Sequence, residues 1–178
     1  MTMIYTVHRT EIGLLEDIKA GRIKNLEGAC LEEADLRGAD LRNTNLRYSY
    51  LRSANLSCAS LQTSDLRYAS LLAADLQGAY LFGANLVGAT LHGVNLQSAN
   101  LVSCIGNKKE IKSLQLDTYN IVYTHDRLQI GCKNHGIAEW FNFDDETIDD
   151  MDEGALEWWN KYKSYIKLTI ELSPAIKP

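Results

Sequence analysis

Leucine returns at every fifth position from Leu26 to Leu101, sixteen times without a slip. The stretch ADLRGADLRNTNL, residues 34–46, shows the unit: a small residue two before each Leu, Asp or Asn one before, and polar residues after. An α-helix advances about 500° over five residues, so successive leucines would drift about 140° apart and form no stripe. In a straight strand an odd spacing sends them to opposite faces. The pattern stays one-sided only if the backbone turns a corner every five residues and each short side offers its Leu to a common interior. By strand alternation the residue two before Leu shares that side. Ala29, Ala34, Ala39, Thr44, Ser49, Ala54 and their successors as far as Ala99 are small, as a narrow interior requires. The other three positions are polar or variable and belong outside. The fold class predicted is an all-β solenoid.

With the motif Ala-(Asp/Asn)-Leu-x-x, residues 26–104 resemble pentapeptide-repeat proteins. The resemblance implies a right-handed quadrilateral β-helix of about four coils: 26–45, 46–65, 66–85 and 86–104. Residues twenty apart would then stack in columns about 4.8 Å apart. Asp35, Asn55, Asp75 and Asn95 fall in one column, and Asn45, Asp65 and Asn85 in another. Such short side chains bond backbone groups at corners, so they read as structural and not as paired catalytic carboxylates.

Two flanks are expected to cover the solenoid ends. Residues 1–25 read as an N-terminal cap: a strand at MIYTVH, then a helix at TEIGLLEDIKAG with Thr10 as N-cap, Gly21 as terminator and an apolar face of Leu14, Leu15 and Ile18. Residues 105–178 read as a small α+β module for capping or partner binding. It is expected to hold two or three strands, broken near Asp117 and His125–Asp126. A short helix should open at Asp144. A longer one should lie within 150–172, with Met151, Ala155, Trp158 or Trp159, Tyr162, Ile166 and Ile170 at helical spacing. The module resembles tails on bacterial or phage-type family members and carries no function by that resemblance. Leu72, Phe82, Val87 and Val102 occupy outward positions, so the module is expected to pack back along the rod, with a homodimer as the other cover.

The formal charge of −5 does not point to direct nucleic-acid binding. No apolar run reaches the length of a membrane span. The first residues lack the pattern of a secretory signal, and Cys30, Cys58, Cys104 and Cys132 are scattered, so free thiols in a cytoplasmic setting are expected. Catalytic motifs are missing, and neither an enzyme activity nor a cofactor is expected. His125, Cys132 and His135, with Asp126 nearby, are the best metal-like set. They lack a compelling fourth ligand and read equally as a hairpin turn. A Cys132–His135 nucleophile pair has no residue to orient the base.

Surface is what remains. Arg37, Arg42, Arg47, Arg52 and Arg67 each follow a Leu and point outward, and the column rule sets Arg47 over Arg67 and Tyr48 over Tyr68. Arg and Tyr are enriched at binding hot spots, whereas the plainer reading is a solvated face. The expected function is a non-catalytic scaffold for a protein partner, bound through Arg47, Tyr48, Arg67 and Tyr68 and, on the tail helix, Trp158 and Trp159. The chain would act as a monomer or homodimer. The alternative implied by the family is a DNA mimic that binds DNA gyrase and confers resistance to gyrase poisons. Five arginines against seven acids within 26–104, a net −2, fit that alternative poorly.

Overall fold

The computed structural model describes residues 12–107 and 109–177. Among the described residues, thirteen parallel β-bridges each join a position to the one twenty further on, from Asn25↔Asn45 to Asn85↔Ile105. A turn closes within every five residues, so the chain makes four turns before it returns above itself. In each turn the N–H three residues after Leu donates back to the Leu carbonyl, as Ala69 does to Leu66 at 3.1 Å. The residue two after Leu has positive φ, between 54° and 72° from Gly28 to Ser103, the requirement of a type II turn at its third position. Ten of these turn residues are not glycine, Tyr48 and Tyr68 among them. Left-handed backbone costs roughly 1–2 kcal/mol for such residues. The ladder outweighs that cost: Leu66 N–H donates to Asn85 at 2.8 Å, Tyr68 N–H to Val87 at 3.0 Å, and Asn85 N–H to Ser64 at 3.0 Å.

Inside, the leucines from Leu26 to Leu91 are fully buried, each gaining about 1.5–3 kcal/mol from leaving water. Ala34 and Leu96, in the first and last coils of the stack, are only partly buried. Asp and Asn one before Leu accept the N–H two residues on, as Asp35 does from Arg37 and Asn55 from Ser57. Within columns, amide side chains link neighbours: Asn95 Nδ2 donates to Asp75 at 3.0 Å.

Helix α1, Ile12–Lys19, lies against the first coil. Ile18 is buried in the leucine cluster, with Leu14 and Leu15 packed against it. Gly21 ends the helix at φ 69°. Its N–H donates to Ile18 and that of Arg22 to Asp17, the paired bonds of a Schellman motif. The strand expected at MIYTVH and the Thr10 cap lie outside the described residues.

At the other end, β1 (Lys112–Leu116), β2 (Tyr119–Tyr123), β3 (Arg127–Ile130) and β4 (Lys133–Gly136) form an antiparallel sheet in the order β1-β2-β3-β4. A turn at Gly131–Cys132 supplies the fourth strand, one more than the sequence pattern predicts. Strand alternation sorts the sheet's two faces. Val122 joins the leucine core together with Ile111, while Ile121, Tyr123, Leu128 and Ile130 face a second core. Helices α2 (Ile137–Asn142), α3 (Asp145–Asp149) and α4 (Ala155–Leu172) close that second core; α2 is absent from the sequence-based expectation. On the solenoid side, the buried Gln129 accepts the Leu101 N–H at 3.1 Å and Asn107 donates to the Ala89 carbonyl at 3.1 Å. The module therefore meets the last coil end-on and does not lie back along the rod. Phe82 remains 48% exposed, contrary to the expected cover. The buried end of the stack, with its unpaired backbone groups, is the more demanding surface to cover than a single aromatic side chain on a side.

Candidate partner-binding face

The twenty-residue column Gly28, Tyr48, Tyr68, Gly88 occupies successive left-handed turn positions. The Tyr48 and Tyr68 rings stack at 5.2 Å between centroids with 8° between planes, and each residue is about half exposed, at 48% and 50%. Gly88 makes room for this stack. A Cβ there would sit 2.5 Å from Tyr68 Cδ1 and 2.6 Å from Cε1. Gly88→Ala should tilt the ring outward and break the pair, worth about 0.5–1.5 kcal/mol, and add a cost of roughly 1–2 kcal/mol for a side chain at the left-handed φ of 72°. A fall of about 2–4 °C in Tm per kcal/mol lost and altered Tyr68 ring-proton shifts are the expected readouts; an unchanged spectrum would mean the ring does not rest on Gly88.

Arg47 and Arg67 stand one position earlier in the same turns, and their circumstances differ. The Arg67 guanidinium is held by Asp65, with Nε to Oδ1 at 2.8 Å and Nη2 to Oδ2 at 2.5 Å. Arg47 lies with its guanidinium carbon 5.4 Å from the Tyr48 ring centroid. Among the described residues it has no ion-pair partner, and its buried Nε has no acceptor. Arg47 is thus the cation of the face that no carboxylate clamps, although its charge still reaches Asp65, while Arg67 mainly frames the tyrosines.

The Asp65–Arg67 pair is one of three. Asp35 with Arg37 and Asp40 with Arg42 make the same two-pronged contact, since residues flanking a Leu on one strand share its outer side. In all three the arginine hydrogen bond holds the carboxyl well below the usual carboxylate range. A depressed folded pKa gives stability that is present above the unfolded value, near 4, and lost as pH falls through the folded value. Melting temperature should accordingly drop as pH is lowered below about 4. The triple change Asp35→Asn, Asp40→Asn, Asp65→Asn should make that drop shallower, because Asn keeps the corner acceptor, as Asn45 does for the Arg47 N–H. Equal acid sensitivity of parent and triple variant would rule out these pairs as its source.

The remaining candidates disperse. Trp158 and Trp159 are 9% and 2% exposed, packed in the second core. The expectation of a partner-facing pair is corrected here, because both indoles lie on the face of α4 that the sheet and α2 cover. Trp158 Nε1 donates to the Leu116 carbonyl, and Trp159 lies 5.4 Å from the Trp140 ring. His125 pairs with Asp126, and His135 with Glu139. Cys132 sits exposed in the β3–β4 turn. Among the described residues no three His, Cys, Asp or Glu side chains gather as a metal site. Burial pushes the Cys104 thiol up to about 12, which makes it a packing residue. No helix among the described residues is long and apolar enough to cross a membrane.

Two participants in the face escaped the sequence reading, Asp65 as the clamp on Arg67 and Gly88 as the seat of Tyr68. Both carried a signal, Asp65 in the Asp-Leu-Arg triplet and Gly88 in its twenty-residue offset from Tyr68.

Among curated proteins, none matches the chain's sequence. The family described as pentapeptide repeats matches it with 8 copies, over residues 25–57, 44–81 and 74–105. Among solved structures, a pentapeptide repeat protein from the cyanobacterium Cyanothece 51142 is 35% identical over 47% of this chain and 58% of its own, with a TM-score of 0.33. A trypsin-treated form of QnrB1, a plasmid-mediated fluoroquinolone resistance protein, is 26% identical over 45% of this chain, with a TM-score of 0.35. The chain spans 44% of the QnrB1 chain. The pentapeptide repeat protein alr5209 from Nostoc Pcc 7120 is 34% identical over 55% of this chain and 78% of its own, with a TM-score of 0.49. The repeat matched from 25 to 105 places this part of the chain in the pentapeptide-repeat family.

Proposed function

We propose that this protein is a non-catalytic binding scaffold. In this reading a right-handed quadrilateral β-helix of about four coils, 26–104, is closed at its N-terminal end by helix α1 and at the other by the α+β module of 105–178. It offers the Arg47–Tyr48–Arg67–Tyr68 face to a protein partner in the cytoplasm. The observation that carries the reading is the Tyr48–Tyr68 stack, two half-exposed rings held parallel beside a guanidinium that no carboxylate clamps among the described residues. Aromatic rings fixed in place lose little entropy on binding, and Arg with Tyr is the composition of hot spots. A guanidinium without a salt bridge among the described residues fits a carboxylate in two-pronged geometry, so the partner surface in this reading is acidic where it meets Arg47.

Bait capture from the native host tests this. Arg47→Glu combined with Tyr48→Ser should lose the captured partner at least tenfold while melting within a few degrees of the parent, since neither side chain is buried in the leucine core. A partner retained equally by the double variant would refute the face. A supercoiling assay with DNA gyrase separates the family alternative. A DNA mimic must present dense negative charge to a site built for phosphates, whereas this face presents Arg47. Neither inhibition of supercoiling nor rescue from a quinolone is expected at micromolar protein; strong protection would replace the scaffold reading with the mimic.

A further inference from the structure

The module closes the last coil unevenly. On the side that holds Leu86, Ile105 completes the ladder, accepting the Leu86 N–H and donating to Ala84. On the side of Leu101, Gln129 accepts the backbone N–H and Asn120 reaches Ser103 at 2.8 Å. Other ladder groups, such as the Leu91, Gly93 and Ser103 N–H, also lack a partner among the described residues, but on the side that holds Leu96 all three ladder groups are open. One coil below, its equivalent is fully paired: Leu76 N–H donates to Asn95, Gly78 N–H to Gln97, and Asn95 N–H to Ala74. In the last coil, among the described residues, the N–H groups of Leu96 and Ser98 and the carbonyl of Val94 have no partner. These three groups open onto a cleft of about 550 Å³ between residues 94–101 and the β2–β3 turn, a volume in the range of ligand-binding clefts. Its far wall carries His125, Arg127 and Lys177 against the single acid Asp126, which His125 faces at 3.4 Å.

We infer that this edge takes an extended, acidic segment of a partner protein as an added parallel strand. The three open groups dictate register. One incoming residue would donate its N–H to Val94 and accept from Leu96, and the residue two further on would accept from Ser98. This is β-augmentation, in which main-chain bonds supply affinity and the flanking walls supply selectivity. Arg127, which also donates to Asn134, and Lys177 outnumber the single acid Asp126 and favour carboxylates. The edge lies outside the Arg–Tyr face, and neither depends on the other.

The test uses the full chain labelled with 15N and a pool of blocked pentapeptides that alternate Val or Thr with Glu. At millimolar peptide, amide exchange at Leu96 and Ser98 should slow at least tenfold, with no comparable change at Gly78, which is already bonded. The Lys counterpart of the pool should bind at least fivefold more weakly, and Arg127→Glu with Lys177→Glu should reverse that preference. A pool with N-methylated backbones keeps its side chains but loses its donors, and should lose protection. Three results would overturn the inference: no protection by the acidic pool, equal protection by the N-methylated pool, or protection in the free chain that disappears on dilution, which would make the occupant a second copy.

Discussion

Leu66→Asp is expected to abolish cooperative folding. Leu66 is fully buried at the middle of the leucine stack, with leucines from the coils above and below closing it off. A carboxylate placed there has no cation to meet and costs several kcal/mol to desolvate, against a total stability of about 5–15 kcal/mol for a natural domain. The same charge introduced at Gln77, which is exposed, should change stability by only about 0.5 kcal/mol. Thermal unfolding followed by circular dichroism distinguishes the two. A Leu66→Asp chain that melts like the parent would mean that Leu66 does not face a closed interior.

Removing the module after Ile105 is expected to turn the remaining repeat segment into a self-associating species. The cut strips Ile111 and Val122 from the leucine core and takes Gln129 from the Leu101 N–H and Asn107 from the Ala89 carbonyl. It also adds these groups to the edge already open at Leu96 and Ser98. An unpaired strand edge over exposed leucines is a template for pairing with another copy. The full chain should remain monomeric at concentrations where the fragment forms higher oligomers in analytical ultracentrifugation. A monomeric fragment with an unchanged melting temperature would show that the solenoid end needs no cover.

The solenoid was legible because a five-residue period leaves the backbone one solution, and the inward assignments of Leu, Ala, Thr44, Ser49 and Cys104 follow from it without any tertiary information. The columns were legible for the same reason, which is why the Tyr48–Tyr68 stack could be anticipated from a subtraction. The state of each arginine could not. Arg47 and Arg67 occupy equivalent positions, but one follows Asn45 and the other Asp65, and that single atom-for-group difference decides which guanidinium is clamped. In the module the legible features were local: the turns near Asp117 and His125–Asp126, and the apolar stripe of α4. The turn at Gly131–Cys132 and helix α2 were hidden because a four-residue strand and a six-residue helix are too short to display a period. Trp158 and Trp159 were misjudged because adjacent helix positions lie about 100° apart, and only the assembled core shows that neighbours on both sides bury the two indoles together.

The most direct measurement of the scaffold reading is site-specific photo-crosslinking in the native host, with a benzophenone amino acid placed at Tyr68 or, separately, at Tyr80. The two tyrosines are equally exposed, at 50% and 49%, but Tyr80 stands in a different column. A covalent adduct of one defined protein from position 68, absent from position 80, is the expected result. Equal adducts from both positions, or none from position 68, would contradict it.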